Sequence, residues 1–325
     1  MRKRLWAIFM TTVLALTYLM PATARAAAPD LAGAVQRGAA WLGGAQRSDG
    51  SWGAMPRLAT RDTAAAVIAL RDAGGLGPAV DAGAAWLVSA PGADTDSLAR
   101  SLKALAPAPE LAARVLQRQN ADGGWGLAPG YASDPLDTAL ALGALAGAGP
   151  SEAVVKGAAA LAALQGPDGS WGVQAGAGGN VYTTAHALIA LGEAGRAGVP
   201  VSTAALRNGA TWLLERQSSD GSWGSLSKTV LTALAYRGAL QGAAATRVGP
   251  APAWLANAQS ADGSWEGQAY ATAEAMRALS VAAQLPTATL SGARLAAPSP
   301  TGPVPATSFR AYEPVLLETD PLPSG

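Results

Sequence analysis

The sequence predicts an all-α fold in which six helix-hairpin repeats close into an α/α toroid, an α6/α6 barrel. Three observations predict it. The turn Gln46-x-x-Asp49-Gly50-Ser51-Trp52 returns as Gln119…Asp122-Gly123-Gly124-Trp125, Gln165…Asp168-Gly169-Ser170-Trp171, Gln217…Asp220-Gly221-Ser222-Trp223 and Gln259…Asp262-Gly263-Ser264-Trp265. Before the Gln lies a helix-like run, with Trp41-Leu42, Trp212-Leu213 and Trp254-Leu255 at the same spacing from it. After the Trp comes a stereotyped helix start, seen as Asp62-Thr63-Ala64, Asp137-Thr138-Ala139 and Thr183-Thr184-Ala185. Periods of this size mark stacked supersecondary units.

Each unit is therefore a helix, a tight turn and a second helix. Asp-Gly makes the turn, since Gly takes positive φ freely and Asp bonds its own backbone. An Asp or Thr at the second helix start can accept from the free N–H groups of the first turn. The buried indole needs a partner for its N–H, and the Gln amide offers a flat stacking surface. Units follow at about 31–75, 76–107, 108–149, 150–198, 200–243 and 247–285, the second degenerate, with Pro91-Gly92-Ala93-Asp94 in place of the Gln turn. Six is the number that closes a ring, and an open array would need polar capping repeats. Small residues Ala69, Ala104, Ala144, Ala190, Ala235 and Ala278 share one position of the second helices, where they let neighbouring helices approach.

The domain is 27–285. Residues 1–26 read as a signal peptide, with Arg2, Lys3 and Arg4 ahead of an apolar run and Ala24-Arg25-Ala26 as the cleavage site, so the protein is expected to be secreted or in the cell envelope. The leader holds four of the 23 basic residues and no acid, which leaves 19 against 22, or −3 in place of +1. Nucleic-acid binding has no basis in that charge. With no Cys, neither disulfides nor thiolate metal sites are available. Residues 286–325 contain eight Pro and lack helical periodicity, and read as a disordered tail.

Arg37-Gly38…Trp41-Leu42…Gln46…Gly50-Ser51-Trp52 resembles the QW repeat of squalene and oxidosqualene cyclases, and the likeness covers roughly residues 31–285. The protein prenyltransferase β-subunits share the toroid. The resemblance implies inner helices around a central cavity whose chemical end lies at the helix N-termini. It points there to the residue before each recurring Thr and the one three later, which share a helix face. Asp62, Arg100, Asp137, Thr183, His186, Lys228 and Glu274 then form a polar crown, with Tyr182 and Tyr270 beside it, as the candidate ligand site. The plainer reading makes them helix caps and solvated charges, above all for Asp62 and Asp137.

The family's known chemistries do not map cleanly onto this crown. Protonating cyclases use Asp-x-Asp-Asp-Thr-Ala, and the nearest match is Asp134-Pro135-Leu136-Asp137-Thr138-Ala139, with Leu136 in the donor's place. Displaced acids could be Asp137 or Asp96. The domain has no Phe to face a carbocation. A prenyltransferase zinc set of Asp, Cys and His cannot be assembled without Cys, so no metal and no cofactor are expected. Glycoside hydrolases on six-fold toroids need paired carboxylates about 5–10 Å apart, which Asp62, Asp137 and Glu274 could supply, but the QW pattern is not theirs. Thioester toroids require a Cys.

The expectation is an exported toroid without enzymatic chemistry, with no nucleic-acid partner and no transmembrane helix once the leader is cut. It would bind an apolar or amphipathic small molecule, or an extracellular protein or cell-wall partner. The alternative is an isoprenoid-handling enzyme, cyclase- or prenyltransferase-like, with a displaced acid. A cavity narrower than an isoprenoid would favour a partner at the surface.

Overall fold

The computed structural model describes residues 29–75, 77–90, 92–224, 227–242 and 248–285; the expected leader and Pro-rich tail lie outside them. Twelve α-helices follow among the described residues: α1 (Leu31–Ala45), α2 (Ala59–Asp72), α3 (Gly77–Ser89), α4 (Thr95–Leu105), α5 (Pro109–Leu116), α6 (Pro135–Leu145), α7 (Glu152–Ala163), α8 (Val181–Arg196), α9 (Thr203–Glu215), α10 (Lys228–Ala239), α11 (Ala251–Asn257) and α12 (Ala269–Ala283). The even-numbered helices pack in sequence, and α12 packs back on α2, closing an inner ring. The odd-numbered helices lie outside: α3, α7, α9 and α11 each pack against the inner helices of their own and the preceding unit, α5 packs on α4, and α1 packs on α12 across the seam.

The caps explain where helices begin. Side chains of Asp30, Asp94, Asp134, Ser151, Asn180 and Ser202 accept first-turn N–H groups. Asp62 and Asp137, expected as caps, lie inside their helices, and Asp134 caps α6 in place of Asp137. The recurring Thr has a different task from capping. Thr63, Thr138, Thr184, Thr232 and Thr272 each accept from the backbone N–H of the unit's Trp at 2.9–3.0 Å. In the fifth unit the clasp is Thr232, one turn beyond Thr229. The position equivalent to Ala69 and Ala278 there is Gly238, not Ala235, and a Cβ on Gly238 would come within 3.0 Å of the Ala185 backbone.

The repeat motif is a joint between units. The five Trp side chains are fully buried, and each indole N–H donates to a carbonyl ten residues back, such as Trp52 to Leu42 and Trp265 to Leu255. The Gln does something other than the stacking expected of it. Gln46, Gln119 and Gln165 each donate to their own turn and to the next outer helix, at Ala79, Ala153 and Ala205. Gln259 does the same to Ala34 of α1, so the seam is bonded like those three joints, whereas Gln217 donates to its own turn at Gly221. The indole edge meets a glycine on that next helix: a Cβ on Gly83, Gly157, Gly209 or Gly38 would come within 2.6–3.0 Å of Trp52, Trp125, Trp171 or Trp265. Only hydrogen fits there.

Candidate functional site: a charged lumen

Aligning the inner helices on the Thr that clasps each Trp, with Leu98 in that place in α4, sorts the lumen into layers. Two residues before it stand Arg61, Asp96, Tyr182 and Tyr270. Two residues after it stand Ala65, Arg100, Leu140, His186, Leu234 and Glu274; five after it, Ile68, Lys103, Gly143, Ile189, Arg237 and Arg277, and both sets line the cavity. Nine after it come Asp72, Glu193, Gln241 and Val281, where the cavity continues into a second pocket. Spacings of three and four keep one helix face inward.

Arg61, Arg100, Tyr182 and Tyr270 close the N-terminal end. The Arg61 guanidinium lies 4.2 Å from the Tyr270 ring centre, an aromatic face that attracts a cation. The Tyr182 and Tyr270 hydroxyls are 3.1 Å apart, and Arg100 donates to the Tyr182 hydroxyl at 3.0 Å while gripping Asp96 with two nitrogens. Below them Glu274 takes Arg237 at 2.5 Å and Arg277 at 3.0 Å, and Lys103 pairs with Glu193 at 2.6 Å. Burial pushes the Glu274 carboxyl up, but Arg277 and Arg237 outweigh it and hold it down at about 2. Burial, reinforced by Arg100, drives His186 well below the ordinary imidazole range, so it is neutral. Its Nε2 is buried without a hydrogen-bond partner among the described residues, and its ring meets Tyr182 edge-on at 4.5 Å between centres.

The structure brings Arg100, Tyr182, His186, Tyr270 and Glu274 together and leaves the other crown candidates apart. Lys228 begins α10 on the surface, 3.6 Å from Asp220, because the fifth unit's register is set by Thr232 and not Thr229. Asp62 pairs with Arg61 and lies under Gly53, whose Cβ would touch it. Thr183 is buried in the first turn of α8, its N–H given to Asn180. Asp137 does not line the lumen; burial, with the Asp134 carboxylate beside it, pushes its carboxyl up to about 9. Asp96 is committed to Arg100. Sequence reasoning missed Lys103, Glu193, Arg237 and Arg277, although continuing each lumen face by one and two turns reaches all four.

The space between these side chains is about 50 Å³ for water-sized occupants, with about 190 Å³ in the pocket at the C-terminal ends of the inner helices. Among the described residues no helix is long and apolar enough to cross a membrane.

Comparison with known proteins places this architecture. Residues 136–247 match the family of the squalene-hopene cyclase C-terminal domain. No curated protein matches the chain. A protein of known structure from Actinoplanes is 22% identical, with a TM-score of 0.62 over 78% of this chain and 100% of its own. The type II terpene cyclase MstE from Scytonema is 17% identical, with a TM-score of 0.61 over 78% of this chain and 98% of its own. ent-Copalyl diphosphate synthase from Streptomyces platensis is 23% identical, with a TM-score of 0.52 over 73% of this chain and 51% of its own. Likeness at these identities is likeness of fold. The chain has the α/α toroid of the terpenoid cyclase and protein prenyltransferase superfamily.

Proposed function

We propose that this chain is an exported, non-catalytic toroid that binds an extracellular protein or cell-wall partner from outside its lumen. The charged, nearly filled lumen carries this reading. An isoprenoid needs an apolar cavity of several hundred Å³. Here about 50 Å³ remains, walled by Arg100, Lys103, Arg237, Arg277 and their carboxylates. An MstE variant is in complex with geranylgeranyl dihydroxybenzoate as substrate. A ligand of that size would have to break the Glu274 pairs, and removing one partner of a buried ion pair strands the other charge.

The cyclase-like alternative rests on Asp137 or Asp96. Leu136 stands in the donor's place, and a carboxyl at about 9 surrenders its proton poorly. Native mass spectrometry after incubation with geranylgeranyl diphosphate and with squalene, together with product extraction, tests the choice. The expected result is a bare mass and unchanged substrate. A discrete adduct or a cyclised product overturns the reading.

A further inference from the structure

The middle of the lumen is one negative charge short. Lys103, Arg237 and Arg277 face Glu193 and Glu274, three cations to two carboxylates. The remaining lining cations are neutralised towards the N-terminal end, Arg61 by Asp62 and Arg100 by Asp96. Asp72 reaches Arg277 only at 4.0 Å and is 52% exposed at the mouth, where water weakens the pair.

The same space holds one unused polar atom. His186 Nε2 is buried and has no partner among the described residues, and α6 offers only Ala139, Leu140 and Gly143 along its side of the lumen. Buried polar atoms are almost always hydrogen-bonded, so one that is not calls for an occupant. At roughly 10–15 Å³ per water-sized sphere, the free space suits about four waters or one anion of similar size. Among the described residues the free space continues in one direction. Tyr182, Tyr270, Arg61 and Arg100 close the N-terminal end, whereas the pocket lined by Arg196, Gln241 and Asp72 opens the C-terminal end and shares Arg237 and Arg277 with the lumen.

We propose that the lumen binds one compact monoanion, a small carboxylate or singly charged phosphate, which enters at the C-terminal mouth and is held by Lys103, Arg237 and Arg277 with His186 Nε2 as a further donor. Guanidinium pairs suit planar carboxylate and phosphate oxygens. The ligand is polar and small, so the site is independent of the outer-surface partner proposed above.

His186 is the only histidine in the chain, so its ring nitrogens give one pair of NMR signals. Protein labelled with ¹⁵N-histidine is titrated with sodium formate, acetate and phosphate, each against sodium chloride at matched ionic strength. The expected result is a saturable shift of the His186 signals with one of these probes and none with chloride, together with a higher melting temperature. Phosphate alone acting, or formate and acetate alone, separates the two anion types. His186→Asn and Arg237→Gln should each weaken binding by roughly tenfold or more, as loss of a charge-assisted or buried hydrogen bond does. If Arg237→Gln fails to fold, His186→Asn, read by calorimetry, carries the test. Signals indifferent to every probe, or moved equally by chloride, overturn the proposal, as does unchanged affinity in folded His186→Asn.

Discussion

Glu274 and Asp137 are both buried carboxyls on inner helices, and their surroundings move them in opposite directions. Two arginines hold Glu274 at about 2, below its ordinary 4.5. Its contribution is therefore complete above pH 4.5 and lost as pH falls towards 2, about 3 kcal/mol at 1.36 kcal/mol per unit. Urea unfolding between pH 5 and 2.5 should show this fall, and Glu274→Gln should flatten it. Asp137 has its folded value raised from 3.8 to about 9, so its contribution is present below pH 3.8 and declines as pH rises through that window. Asp137→Asn, which keeps a donor for Asp134, should be more stable than the native protein at pH 7, with the gap closing towards pH 4. Thermal unfolding across that range checks it; a variant less stable at every pH would refute the assignment. At this scale the sequence was half legible. His186 and Glu274 could be placed because the recurring Thr-Ala of the helix start, Thr184-Ala185 and Thr272-Ala273, marks the helix face, and Arg100 because Asp96-Ser97-Leu98 aligns with it. Lys228 was misplaced because Thr229 and Thr232 are one turn apart, and only the hydrogen bond from the Trp223 N–H separates them.

At the scale of the elements, the repeat motif was legible as spacing and illegible as function. Its Gln, Gly and Trp looked like parts of one turn. Part of their contacts lie on the next outer helix, the second Gln bond and the glycine under the indole edge, and a single unit read alone contains no trace of those. The bonds predict a near equality. Gln165→Ala removes a clamp in the middle of the chain, and Gln259→Ala removes the one that ties α11 to α1. Each should cost about 1–3 kcal/mol, the cost of leaving buried carbonyls unpaired. Denaturant midpoints of the two variants should lie close together, with Gln259→Ala the lower by the exposed bond that Arg37 donates to the Gln259 side chain at 3.0 Å. A Gln259→Ala protein barely destabilised would mean that the seam contributes little in solution.

The whole molecule follows from that seam. The all-helical toroid was legible from the repeats, while the charged filling was not, because Ala and Gly fit an open cavity and a packed one equally well. Since α12 meets α1 as α2 meets α3, a circular permutant joining residue 285 to residue 30 by a short linker, with new termini between Gly149 and Pro150, should fold. Its circular dichroism should match the native protein and its unfolding should remain a single transition. Open repeat arrays unfold from their ends and lengthen by copying a unit. A ring whose last glutamine bonds the first helix has no end to fray and no vacancy for a seventh hairpin. Its size comes in one value, and any growth of the gene has to be accommodated in loops or outside the circle.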